Sequence, residues 1–350
     1  MLQEAMSMKR MGVKCLHEKQ RRMYNKIKGE IEMKTLDNRK IVLVGTGFVG
    51  MSFAYSLLSQ PGIDELVLID VAKEKAEGEA MDLSHGLPYA VSKMRIYAGD
   101  YADCKDASIV VVTAGAAQKP GQTRLELTAI NTKIMKGICE QIKESGFGGI
   151  LVVASNPVDL MTYVAQKVTG YPKNRVIGSG TLLDTARLRY MVAKYLDVNS
   201  TNVHAYIMGE HGDSSFVPWM HAYIGCKSLL ELLDEQGRDM ADLLQIYQDV
   251  RNAAYEIIEK KKATYYGIGL SLNRLVGAIL NNENAIMTVS VYQNNEYGKT
   301  GLYIGVPAIV NREGIREIIH LPLNEVDQGK FDTSCDNLME IIRETIDPLL

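Results

Sequence analysis

The sequence has no apolar run long enough to cross a bilayer. Stretches such as Ile109–Val112 and Ile150–Ala154 are strand-sized, against the roughly 20 residues that a membrane helix needs. No membrane partner is therefore expected. Excess charge of either sign is also missing: Lys+Arg 39 against Asp+Glu 42 leaves a net charge of -3, too balanced for a nucleic-acid footprint. Cysteine is scarce. Cys15, Cys104, Cys139, Cys226 and Cys335 are odd in number and lack the CxxC spacing of a zinc or redox centre. No metal is expected, and the setting reads as a reducing cytoplasm.

What is present is ordinary globular material. A hydrophobic share of 46% with 23% charged residues, Gly 30 and Pro 9 excludes collagen, a mucin-like stalk and a wholly disordered chain. At 350 residues the chain has room for about two domains. Its first 37 residues read as a cationic N-terminal extension, floppy or helical. Charge interrupts every apolar stretch there, which disfavours a secretion signal, and Glu18, Glu30 and Glu32 fit poorly with a mitochondrial transit peptide. Met6, Met8, Met11, Met23 and Met33 all precede the first clear strand and leave the start of translation open.

The first informative signal is Ile41-Val-Leu-Val44 running into Gly45-Thr-Gly-Phe-Val-Gly50. A β-branched apolar run, a glycine-rich turn and a helix from Phe48 to Ser59 form the strand–turn–helix that cradles a pyrophosphate. In that reading Gly45 makes the tight turn and Gly47 lets backbone approach the anion. Gly50 lets the helix pack on the strand, and Thr46, Phe48 and Val49 complete the loop. A second strand, Glu65–Ile69, ends at Asp70, twenty residues past Gly50, where a carboxylate can accept ribose hydroxyls and repel a 2'-phosphate. The expected cofactor is NAD rather than NADP.

Further buried strands, Ala107–Thr113 and Gly149–Ala154, alternate with helical pattern, as in a doubly wound parallel sheet of the Rossmann type. We expect this α/β domain over residues 38–180. A second, α+β domain is expected over 181–350, with amphipathic segments such as Leu229–Lys261 followed by a hairpin-like stretch around Tyr292–Val310 and a final helix. In Thr181–Arg189, Asp184 and Arg187 lie three apart and share one helix face. Taken alone, that is a solvated ion pair. His211 follows an alternating strand, Val203–Met208, in the small-residue loop Gly209-Glu-His-Gly-Asp213, and a lone histidine is usually structural.

Together these segments resemble the lactate and malate dehydrogenase family over roughly residues 38–348, most closely its bacterial L-lactate-forming members. Further matching stretches are Ala114–Arg124, Ser155-Asn-Pro-Val-Asp159 and Ala263-Thr-Tyr-Tyr-Gly267. The resemblance implies a reversible NADH-dependent reduction of pyruvate to L-lactate. It makes His211 the acid/base group, Asp184 the carboxylate that orients it, and Arg187 the fork on the substrate carboxylate. It also makes Arg124 a mobile-loop arginine that polarises the carbonyl, with Asn156 near the substrate oxygen and Thr264 closing the pocket. Thr113, Ala114, Gly115, Asn131 and Asn156 would line the cofactor.

Gln118 stands where malate-specific relatives carry an arginine, and a neutral amide cannot pair a second carboxylate, which favours pyruvate over oxaloacetate. Lys119 next door, or an exposed-loop role for Gln118, leaves malate or another L-2-hydroxy acid as the alternative. A non-catalytic binding protein would have no need of His211, Asp184, Arg187 and Arg124 together. Arg189 and His204 match positions that, in allosteric bacterial relatives, bind fructose 1,6-bisphosphate across a subunit interface, which implies a homotetramer activated by that anion. The other reading of these two residues is a surface arginine and a packed histidine.

Overall fold

A computed structural model describes residues 39–116, 121 and 123–350, with Arg124 described by its backbone alone. The apolar runs of the first half form parallel strands β1 (Lys40–Val44), β2 (Glu65–Ile69), β3 (Arg95–Ala98), β4 (Ile109–Val112), β5 (Ile150–Val153) and β6 (Val176–Gly178). Helices α1 (Phe48–Leu57), α2 (Lys73–Gly86), α3 (Arg124–Glu144) and α4 (Val158–Thr169) lie between them. Ile41, Val42, Leu43, Val110, Val111 and Val152 are 0% exposed, because strands covered on both faces need apolar side chains on both. Each such side chain contributes roughly 1.5–3 kcal/mol on burial.

The second half begins with α5 (Leu182–Leu196) and a small antiparallel sheet of β7 (Val203–His204), β8 (Tyr223–Ile224) and β9 (Lys227–Ser228). It continues through α6 (Leu229–Glu235), α7 (Met240–Lys261) and α8 (Tyr266–Leu280). The long strands β10 (Ala285–Asn294) and β11 (Thr300–Asn311) follow, then β12 (Gly314–Ile318) and α9 (Glu325–Ile341). Leu188, Val192, Val203, Ile207, Trp219, Leu229 and Leu243 form a core of its own between α5, the small sheet and α7.

The large sheet has nine strands in the order β12-β11-β10-β6-β5-β4-β1-β2-β3. Strand order reverses between β1 and β4, so a crevice opens beyond their carboxyl ends, where α/β sheets bind ligands. The sheet runs on past the expected boundary at 180/181, with Ser290 of β10 paired antiparallel with Gly178 of β6. Among the described residues, no helix is long and apolar enough to cross a membrane.

Two sequence expectations need correcting. The run Val203–Met208 is a strand only at Val203–His204. Beyond it, side chains around the start of α5 replace the ladder: Thr185 Oγ1 accepts from Ile207 N at 2.9 Å and Thr181 Oγ1 donates to Ile207 O at 2.6 Å. The amphipathic segment Leu229–Lys261 forms two helices, as that reading allows, parted where Gly237 takes φ 62 and Asp239 caps α7 through Ala241 N at 2.8 Å. The first helix stops at Leu57, two residues before the expected Ser59.

Candidate active site

The crevice is walled on one side by the glycine turn after β1. Gly45 has φ +103, and a Cβ there would lie 2.7 Å from Ala114 N, so only glycine fits between the β1 and β4 ends. A Cβ on Gly50 would meet Gly45 O at 2.1 Å, because α1 rests directly on the turn. Gly47 is different. Its backbone is extended at φ -75, and a Cβ would meet nothing within 4 Å. The protein itself does not demand glycine there; open space in front of a helix N-terminus does, if an anion is to approach. Helix α1 has neither a side-chain cap nor an acidic residue in its first turn, so its N–H groups are free for phosphate. This donor set fits a dinucleotide.

Asp70 is fastened to the same turn. Its Oδ2 accepts from Thr46 N at 2.7 Å and Thr46 Oγ1 at 2.8 Å, and its Oδ1 accepts from Ala72 N at 3.0 Å. Partial burial works to raise the carboxyl's pKa, but these bonds and the nearby Lys75 ammonium outweigh it and hold Asp70 below its ordinary value. Asp70 is thus an ionised acceptor. Lys75 Nζ also donates to Thr46 O. Phe48 is exposed at the mouth of the turn, its ring stacked on Tyr265 with centroids 5.2 Å apart, and Val49 is half-buried behind it.

Opposite the turn, Thr113, Ala114 and Gly115 leave the end of β4, and Thr113 Oγ1 donates to Gly45 O at 2.8 Å. Asn131, 2% exposed, spends its amide on protein: Oδ1 accepts from Ala116 N at 2.8 Å, and Nδ2 donates to Asn156 O at 2.7 Å and Ala116 O at 3.3 Å. It braces the two segments rather than facing open space. Asn156, next to a cis bond to Pro157, has an exposed side chain.

The chemistry-bearing groups converge from the second half. Asp184 and Arg187 sit one turn apart on α5, with Arg187 Nη1 donating to Asp184 Oδ1 at 3.0 Å. Their side chains are 16% and 14% exposed, which rules out the solvated surface pair. Asp184 Oδ2 lies 2.6 Å from His211 Nδ1. Burial works against Asp184's charge, but His211 and then Arg187 overcome it and keep the carboxyl below its ordinary value. In turn the Asp184 charge lifts the His211 imidazole from 6.5 to about 9, against its own desolvation. With Nδ1 committed to a carboxylate, Nε2 is the free ring nitrogen, and the side chain is 31% exposed.

Other expected residues divide in two. Thr264 is half-buried in the short turn between α7 and α8. Arg189 Nε donates to Ala205 O at 3.0 Å with its guanidinium 5.0 Å from the Tyr206 ring, and exposed His204 precedes Ala205 in β7. Gln118 and Lys119 lie outside the described residues, as does the side chain of Arg124, whose backbone opens α3 behind a Thr123–Glu126 capping box.

Sequence reasoning gave Asp159 no role. It is 2% exposed, and its Oδ2 accepts from His211 N at 2.8 Å while Ser290 Oγ donates to its Oδ1 at 2.6 Å. The sequence signal was weak: an acid in the first turn of a helix is ordinary.

Comparison with known proteins agrees with this geometry. Residues 39–178 match the family model for the lactate/malate dehydrogenase NAD binding domain, and 181–347 match that for its alpha/beta C-terminal domain. The chain is 54% identical over 312 residues to an L-lactate dehydrogenase 2 of Bacillus cereus, covering 89% of this chain and 98% of the relative. It is 52% identical over 316 residues to an L-lactate dehydrogenase of a Geobacillus species, covering 90% and 99%. Among solved structures, a lactate dehydrogenase from a Medee basin deep-sea metagenome library superposes with TM-score 0.86 at 52% identity, covering 88% of this chain and 99% of that one. The ligand-bound minor L-lactate dehydrogenase of Enterococcus mundtii gives TM-score 0.86 at 48% identity, covering 87% and 98%.

Proposed function

The chain belongs to the lactate/malate dehydrogenase family, and on that premise we propose that it catalyses the reversible NADH-dependent reduction of pyruvate to L-lactate. The observation that carries this reading is the 2.6 Å contact between His211 Nδ1 and Asp184 Oδ2, with Arg187 on the same carboxylate. Residues 38–180 bind the dinucleotide at the Gly45–Gly50 turn, with Asp70 on the adenosine ribose. Residues 181–350 supply the acid/base and substrate groups.

NADH, which the Gly45–Gly50 turn and Asp70 would hold, would supply the hydride for a carbonyl carbon. His211 gives its Nε2 proton to the carbonyl oxygen, and recovers it when lactate is oxidised. Asp184 fixes the ring and favours the protonated form without transferring a proton itself. Arg187 receives the substrate carboxylate through its planar fork, a geometry lysine lacks. Arg124 polarises the carbonyl, Asn156 and Thr264 border the substrate, and Gln118 withholds the charge that a second carboxylate would need.

The chain acts in the cytoplasm as a homotetramer, with Arg189 and His204 receiving fructose 1,6-bisphosphate between subunits. Free thiols at Cys104, Cys139, Cys226 and Cys335 support the compartment. The Arg189–Ala205 bond, which ties the guanidinium to the residue after exposed His204, supports the anion site. Parallel assays of NADH oxidation with pyruvate and oxaloacetate, each with and without the bisphosphate, test all of this. Pyruvate turnover far above oxaloacetate supports the reaction and Gln118's part in it. Oxaloacetate turnover at least equal overturns the pyruvate assignment, and absence of activation at subsaturating pyruvate overturns the regulatory one.

A further inference from the structure

The loop that carries His211 is irregular. Gly209 has φ +98, and no helix or strand of regular length aims the histidine. What fixes it is a set of three separate anchors. Gly209 exchanges two backbone bonds with Gly305 of β11, at 2.9 and 3.1 Å. Glu210 N donates to Ser334 Oγ of α9 at 2.7 Å. His211 N donates to Asp159 Oδ2 at 2.8 Å. The first two tie the loop to the C-terminal hairpin and helix. The third alone ties it to the start of α4, three residues from Asn156.

Asp159 is itself held. Its other oxygen receives Ser290 Oγ at 2.6 Å, and Ser290, 0% exposed, belongs to the β10 strand that pairs with β6. A buried carboxylate costs several kcal/mol unless hydrogen bonds and a positive group compensate it. Burial pushes the Asp159 carboxyl up to about 6, and the two hydrogen bonds and the His211 imidazolium oppose that rise only in part, so the carboxylate is the form present above that pH. We propose that Asp159, braced by Ser290, is a positioning residue that fixes the backbone of His211 relative to the Asn156 side of the site. The chain thus grips its acid/base histidine between two carboxylates, Asp184 on the ring and Asp159 on the main chain. A displacement of about 1 Å in a reacting group can cost about 100-fold in rate, so this anchor acts on turnover more than on binding.

The groups acting on His211 are Asp184 and Arg187 from α5 and Asp159 from α4; Glu210 of its own loop acts on Asp159, and Tyr247 and Arg251 of α7 meet the loop at Ser215 and Asp213. Asp159's charge acts on His211 in the same direction as Asp184's. Asp159→Asn keeps the shape and an acceptor oxygen but removes the charge; Ser290→Ala keeps the charge but frees the carboxylate from β10.

The inference rests on the dehydrogenase reading for its kinetic arm only. In that arm both variants are expected to lower kcat for pyruvate by roughly 10- to 100-fold, with KM and NADH affinity nearly unchanged. The second arm follows the His211 imidazole by NMR in isotope-labelled full-length protein. Its titration midpoint is expected to fall by about half a pH unit or more in Asp159→Asn and to stay in place in Ser290→Ala. Wild-type kcat and an unmoved midpoint in Asp159→Asn overturn the proposal, as does a loss of turnover that only tracks lost NADH-binding sites. If the wild-type protein turns over no pyruvate while the midpoint still moves, the dehydrogenase reading fails and the positioning role stands.

Discussion

His211 Nδ1 and Asp184 Oδ2 lie 2.6 Å apart although the two residues are 27 positions apart in the chain. The helix that bears Asp184 also bears Arg187, so one carboxylate joins the His211 imidazole to the guanidinium proposed to orient the substrate. Replacing Asp184 with Asn leaves a hydrogen-bonding side chain of the same shape and removes the charge. The His211 midpoint should drop from about 9 toward 6.5, and kcat for pyruvate should fall roughly 100-fold or more. Steady-state kinetics and imidazole NMR on the same variant check both.

The same pair sets a pH dependence whose sign is fixed. His211 titrates at about 9 when folded against 6.5 ordinarily, so its contribution to stability is complete below about pH 6.5 and is lost as pH rises through about 9. Thermal unfolding should give a Tm that declines over that interval, and the decline should flatten in Asp184→Asn. With His211 in its proposed role as proton donor, pyruvate reduction should fade over the upper part of the interval, while lactate oxidation should gain.

Arg187→Lys retains the charge but not the fork. The lost hydrogen bond to a charged group is worth about 1.5–3 kcal/mol, so kcat/KM for pyruvate should fall about 10- to 100-fold while NADH binds as before. Fluorescence titration of NADH beside initial-rate kinetics separates the two.

Asp70→Ser removes the carboxylate that Thr46 and Ala72 hold ionised. Without that repulsion the preference for NADH over NADPH should narrow by roughly tenfold or more, mainly through a weaker hold on NADH and a better one on NADPH. Competition between the two reduced cofactors at fixed pyruvate reads this directly.

How much of this was legible in the sequence depended on how locally each feature is encoded. The Gly45–Gly50 turn and Asp70 sit within one strand–helix–strand unit, and the strain at Gly45 is visible as glycine itself. Asp184 and Arg187 were legible as a pair because helical spacing puts them on one face, but their burial was not. Residues 203–208 alternate like a strand, yet the hydroxyls of Thr181 and Thr185 take the backbone groups a ladder would use. The break between α6 and α7 is marked locally by Gly237 and Asp239, although the apolar period continues on both sides. Asp159 stayed silent because its partners, the His211 amide and the Ser290 hydroxyl, come from distant segments that meet only in the folded chain.

The most direct measurement is the kcat of His211→Gln for pyruvate, taken with its NADH affinity. Turnover should fall by roughly 100- to 10,000-fold, the range that a general acid supplies, with NADH affinity within a few-fold of the original. Turnover near that of the unaltered protein would contradict the assignment of His211 as the proton donor.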